Sequence, residues 1–191
     1  MNKPKMFLVL WSWRWRHHDN VRYEISQLKN QKIKVTIFEF IDYLYPHFVP
    51  AYKNIKPLKQ VIKIKGLEDL KNRLKKLEKK YNLIILNTID SLNTRGLLIN
   101  YFLNRQQKNI VIELRSSQIP VFNYNFLHLI NFQKFKKFLI SPLTAYYYLK
   151  GYFFSWLRKR FKLFPNYLLR AGYKHYPDYM KKYGVKIRDI N

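Results

Sequence analysis

The chain has no cysteine. Disulfides, thiolate metal sites and cysteine catalysis are therefore excluded, and the absence fits a reducing cytoplasm. Acid is scarce as well: 11 Asp and Glu stand against 37 Lys and Arg, a formal charge of +26. The 5 glycines form neither G-x-G-x-x-G nor G-x-x-x-x-G-K-[ST], so the dinucleotide turn and the P-loop are both missing. No nucleophile elbow appears. The histidines His17, His18, His47, His128 and His175 lack metal-ligand spacing, and adjacent His17 and His18 point their rings apart. Neither a metal nor another cofactor is expected. No apolar run approaches the roughly 18 residues that cross a bilayer; Phe138–Leu149 is interrupted by Ser141, Pro142 and Thr144. The basic start, Met1–Lys5, precedes only about five apolar residues, too few for a signal peptide.

What is present is enough for one core. The 191 residues are 48% hydrophobic and 18% aromatic, too few for two large domains, and a single domain over 1–191 is expected. A field of +26 attracts polyanions: nucleic acid, an anionic membrane surface or phosphorylated ligands. These properties suggest a cytoplasmic protein, peripheral to the inner membrane rather than crossing it.

The apolar run Met6–Trp11 predicts a strand buried on both faces. Asp19 and Asn20 are candidate caps for a helix carrying Val21, Ile25 and Leu28 on one face. Lys32–Phe40 alternates and is β-branched, predicting a second strand and a right-handed βαβ unit. Val61–Lys65 predicts a short strand, and Leu67, Leu70, Leu74, Leu77 and Tyr81 mark the clearest helix. Strands follow at Asn82–Thr88 and Asn109–Leu114. Between them lies a helix capped by Asp90 or Ser91 and carrying Leu97, Leu98, Tyr101 and Phe102. Tyr167–Ala171 is a strand. Tyr176, Tyr179, Met180 and Tyr183 then form a helix stripe, and Val185–Ile190 a last strand. This alternation predicts an α/β fold: an open, mostly parallel sheet with helices on both faces. It is interrupted by a basic aromatic helical segment at 123–165. A final strand with nothing after it suggests half of a longer protein, or a partner completing the sheet.

In such sheets ligands bind at the carboxyl ends of strands. The first of these loops, Trp11–Asn20, holds three Trp, two Arg, two His and an Asp. Arg14 and Arg16 have the chemistry to grip phosphate or carboxylate bidentately, with Trp13 and Asn20 beside them. His17 or His18 is a candidate general base near neutral pH. Asp19 is a candidate to orient that histidine or to act itself. Capping alone also explains Asp19 and Asn20.

No acidic residue lies between Glu113 and Asp178, and fifteen aromatics lie from Phe122 to Phe164. Phe132, Phe135, Phe138 and Leu139 share one helical face, and Tyr152, Phe153 and Trp156 another. Lys134, Lys136 and Lys137 stand before the apolar stretch; Arg158, Lys159, Arg160 and Lys162 follow it. Basic aromatic helices of this kind lie in the interface of anionic membranes. The alternatives are aromatics packed on the sheet, or single-stranded nucleic acid stacked on them.

The W-x-W-R-x-R-H loop, the helix start Val21-Arg22-Tyr23-Glu24, Phe40–Leu44, the strand Asn82–Thr88 and Asn166–Gly172 together carry a resemblance. The chain resembles the N-terminal half of bacterial glycosyltransferase-like proteins of surface polysaccharide assembly (lipopolysaccharide or capsule). The resemblance implies a GT-B arrangement of two Rossmann-like domains. The N-terminal one would bind the acceptor and touch the membrane; the C-terminal donor domain, which would hold the nucleotide-sugar, is not found in these residues. It also places a catalytic base among His17, His18 and Asp19. The implied partners are a nucleotide-sugar, a lipid-linked or glycan acceptor, an anionic membrane surface and a second Rossmann-like domain or subunit. Two other readings remain open: a charge-driven nucleic-acid-binding module and a non-catalytic truncated subunit.

Overall fold

The protein is described here from a computed structural model, which describes residues 3–52, 58–89, 93–106, 109–116, 142–171 and 186–190. Seven strands form one sheet: β1 (Lys5–Trp11), β2 (Lys34–Glu39), β3 (Val61–Lys63), β4 (Asn82–Asn87), β5 (Ile110–Ser116), β6 (Tyr167–Ala171) and β7 (Lys186–Ile190). Their order is β3-β2-β1-β4-β5-β6-β7, and every pairing is parallel. The fold is therefore α/β with an open Rossmann-like sheet, as the alternation predicts.

β1 lies centrally, with Leu8 opposite Thr36 on β2 and Ile85 on β4. Its side chains alternate between two cores. Met6, Leu8 and Leu10 join Leu70 and Leu74 of α4 (Leu67–Lys80) and Ile99 and Leu103 of α5 (Thr94–Arg105) on one face. Val9 joins Trp15, Ile25, Ile37 and Leu86 on the other. Helices thus cover both faces.

Two helical expectations need correction. The first helix is two: α1 (His17–Arg22) and α2 (Ile25–Asn30), separated at Glu24, whose φ of 49° is left-handed. Tyr23 packs against Trp11 and Trp15, while Ile25 is buried in the same core. Residues two apart cannot share a helical face, so the helix breaks to bring both inward. Val21, expected inward, is 70% exposed. The cap position is Arg16; Asp19 stands third in the helix and accepts the Arg16 N–H at 2.8 Å.

α5 is turned by about one residue from the expected phase. It buries Gly96, Ile99 and Leu103, while Leu98 and Tyr101 are exposed. Asn93 caps it by accepting the Gly96 N–H at 2.7 Å; Asp90 and Ser91 lie outside the described residues. α6 (Pro142–Arg160) keeps Phe153 and Trp156 of the expected face together on one exposed stripe, joined by Tyr146 and Leu149, while Tyr152 is partly buried and Phe154 turns inward. The helices expected around Phe132–Leu139 and Tyr176–Tyr183 lie outside the described residues.

β2 continues into the short α3 (Ile41–Leu44) and a 3₁₀ helix, Pro46–Tyr52, over a stretch that the sequence marks only as irregular.

Candidate functional site

The strand order reverses between β1 and β4, which makes their carboxyl ends the topological switch point. The two loops are tied there. Ser12 Oγ donates to the Thr88 carbonyl at 3.1 Å, and Thr88 Oγ1 donates to the Leu10 carbonyl at 2.8 Å. From Ser12 the chain turns over β2, where it divides into inward and outward side chains.

Arg14 turns inward. Its Nη1 donates to Glu39 Oε1 at 2.5 Å, and the Trp15 N–H donates to Glu39 Oε2 at 2.8 Å. The Arg14 and Glu39 side chains are 3% and 1% exposed. The sequence expectation has Arg14 free to grip an anion; instead its guanidinium is neutralised inside the protein. Burial pushes the Glu39 carboxyl above its ordinary range, and the Trp15 N–H and Arg14 only partly oppose this. Asn20 is also structural: its Oδ1 accepts Trp15 Nε1 at 3.0 Å and Gln60 Nε2 at 2.6 Å. Trp15 is fully buried, so one loop residue of each kind anchors the rest.

Trp13 turns outward. Its ring stacks on Tyr45 at 4.6 Å and 12°, with Phe48 5.7 Å away, and it stays 40% exposed. His47 packs on Phe48. The result is an aromatic platform at the rim. Arg16, His17 and His18 are exposed beside it in sequence. His18 Nε2 lies 3.2 Å from Asp19 Oδ1, an exposed imidazole against a carboxylate that is 4% exposed. Asp19 uses its other oxygen on the Arg16 N–H, so one carboxylate both starts the helix and orients the ring.

No family model matches the chain, and no curated protein or solved structure matches it. The site therefore rests on its own geometry.

Several residues at this edge are not among the site candidates read from the sequence. Asp42 on α3 lies 3.9 Å from both Arg14 Nη2 and Lys63 Nζ, and its buried Oδ1 has no hydrogen-bond partner. Arg95, in the first turn of α5, donates to the Tyr43 carbonyl and lies over the Tyr43 ring. The available signal was scarcity: of 11 acidic residues in the chain, Glu39 and Asp42 lie close enough to act on one another, and both face Arg14. Among the described residues no group of three metal-ligating side chains occurs.

The second candidate region divides differently. Trp156 is half exposed, and Lys159, Arg160 and Lys162 are exposed. Arg158 does not belong with them, because it makes a two-pronged pair with Glu113 and donates from Nε to the Leu163 carbonyl. Lys134, Lys136 and Lys137 lie outside the described residues. No described helix is long and apolar enough to cross a membrane.

Proposed function

We propose that this chain is the acceptor-binding, Rossmann-like half of a glycosyltransferase-like protein of bacterial surface polysaccharide synthesis, working at the cytoplasmic membrane surface. The observation that carries the proposal is the His18–Asp19 pair, set on the first turn after β1 close in sequence to the exposed Trp13 platform. A carboxylate-oriented imidazole suits the removal of a proton from a hydroxyl. In the transfer, His18 takes the acceptor's hydroxyl proton and the hydroxyl oxygen bonds to the anomeric carbon. The bond from that carbon to the nucleotide's phosphate oxygen breaks, and its electron pair leaves with the nucleoside diphosphate. Trp13 and Tyr45 offer an apolar face to a sugar ring, and Arg16 offers charge to a phosphate. The nucleotide-sugar would be held by a second Rossmann-like domain or subunit.

The test is transfer from nucleotide-sugars to a lipid-linked acceptor, by this chain alone and with a donor-binding partner. His18→Ala should lower kcat about 100- to 10,000-fold. Asp19→Asn keeps an oxygen for the Arg16 N–H but removes the charge facing His18, so it should lose activity while staying folded. Intact transfer in both variants would refute the assignment.

A second reading, charge-driven nucleic-acid binding, is favoured by the +26 charge alone. It requires oligonucleotide affinity that falls steeply with salt; no binding at low salt removes it.

A further inference from the structure

A cavity of about 220 Å³ lies between α5, the face of β4–β5 and the chain leading from α6 into β6. Its origin is the inward face of α5. Gly96, Ile99 and Leu103 on that face are buried, but Asn100 and Asn104 share it by helical spacing. Amides therefore stand where a Rossmann-like helix normally packs aliphatic side chains. β4 ends on Asn87, β5 is preceded by Asn109 and bears Glu113, and Asn166 precedes β6, all lining the same space.

These polar groups are fixed rather than loose. Asn87 Nδ2 donates to Asn100 Oδ1 at 2.5 Å, and Asn87 Oδ1 accepts the Ile89 N–H at 3.0 Å. Asn104 Nδ2 donates to the Phe164 carbonyl at 2.8 Å. Asn109 Nδ2 donates to Glu78 Oε1 at 2.6 Å. Asn166 Oδ1 accepts the Val111 N–H at 2.8 Å. Each of the last three amides uses one end on the protein, and the other end makes no hydrogen bond among the described residues. The Gln106 side chain, at the end of α5, makes none among the described residues. The cavity thus presents carbonyl oxygens from Asn104 and Asn109, an amide nitrogen from Asn166 and both groups from Gln106.

The cavity is also electrically balanced. Glu113 is its one acidic lining residue, and it is matched by the Arg158 fork. In a chain of charge +26 this is an unusual neutral patch, and it offers no cation aimed at an anion. Leu103, Val111, Leu163 and Pro165 add apolar wall. Polar groups with open hydrogen-bonding capacity, in a space the size of about seven waters, must hold water or a ligand rather than stand dry. A ligand matching this wall needs hydroxyls, which both donate and accept, together with an apolar ring face and no net charge. The volume lies below the roughly 300–1,000 Å³ of drug-sized sites and matches one ring held in the cleft.

We infer that this amide-lined cavity binds a single neutral polyhydroxylated ring of monosaccharide size. The site is separate from the His18–Asp19 pair and does not depend on its role.

Saturation-transfer NMR on the whole chain tests it, with D-glucose, N-acetyl-D-glucosamine and myo-inositol as probes and uracil as the flat-ring comparison. At least one polyol should receive saturation at millimolar concentration and exceed uracil. Gln106→Trp adds bulk to the cavity lining without removing a side-chain hydrogen bond to any described residue, and should weaken that signal about tenfold. If that variant does not fold by circular dichroism, Gln106→Leu is read in its place and should weaken the signal at least detectably. Three outcomes overturn the inference: no transfer to any polyol, stronger transfer to uracil, or a polyol signal unchanged by the Gln106 variant that folds. Trp13→Ala separates the two sites. A signal lost in Trp13→Ala but kept in the Gln106 variant would put the sugar on the loop platform, refuting this site while leaving the proposed function standing.

Discussion

At the scale of single residues, the loop after β1 is held by one acidic side chain. Glu39 accepts from both Arg14 and the Trp15 backbone, and removing its charge strands the Arg14 guanidinium in a dry environment. Glu39→Gln should therefore cost about 3–5 kcal/mol in urea unfolding. The double change Arg14→Met with Glu39→Leu should recover most of that loss, because an apolar pair of similar volume needs no compensation. A double variant as unstable as the single one would show that the Trp15 N–H, not the ion pair, dominates. The crowding of Trp, Arg and His in the loop is legible in the sequence, but the direction of each side chain is not. Arg14 and Arg16 look alike in sequence; only the placement of Glu39 across the strand pair, opposite Trp11 in register, decides that Arg14 goes in.

At the scale of elements, legibility followed the contrast between faces. α4 was clear because its outer face is almost all Lys and Glu and its inner face is leucine. α5 was mis-phased because Asn100 and Asn104 lie on its inward side, which hydropathy cannot anticipate, and α1–α2 because two aromatic contacts override helical continuity. In α4, the Lys65 N–H and Arg73 bind Asp69 and hold its carboxyl below the ordinary aspartate range, although burial works against them. A depressed folded value means that the stabilisation is present above the unfolded value and is lost as pH falls through the folded one. Asp69→Asn should thus cost roughly 0.3–0.5 kcal/mol after solvent screening at neutral pH. The difference from the parent should vanish in acid, as followed by thermal unfolding at several pH values. In α6 the exposed stripe Tyr146, Leu149, Phe153 and Trp156 adjoins Lys159 and Arg160. Phe153→Ser with Trp156→Ser should reduce sedimentation with anionic vesicles about 100-fold or more, given roughly 1.5–3 kcal/mol for each large apolar side chain buried. Binding unchanged by the pair would free α6 from any membrane role.

At the scale of the whole molecule, charge sets the conditions under which any of this can be measured. A body of +26 repels copies of itself and collects anions of every kind. Apparent affinities for vesicles or oligonucleotides should fall as salt rises. An oligonucleotide series should give a linear fall of log affinity with log salt if phosphate contacts dominate, whereas vesicle binding that rests on the α6 stripe should level off at a residual, salt-resistant value. Titrations over the same salt range with both partners therefore rank the two readings on one scale.

The position of β1 also bears on how the chain comes into being. β1 leaves the ribosome before both of the strands that flank it, β2 and β4, and the later of these ends at Asn87. At about 5–20 residues per second of synthesis, several seconds pass in which Met6–Trp11, an uninterrupted apolar segment, has one open edge and no finished core to cover it. Nascent chains halted before Asn82 should therefore be held by chaperones or cluster together, whereas those halted after α5 has emerged should be released.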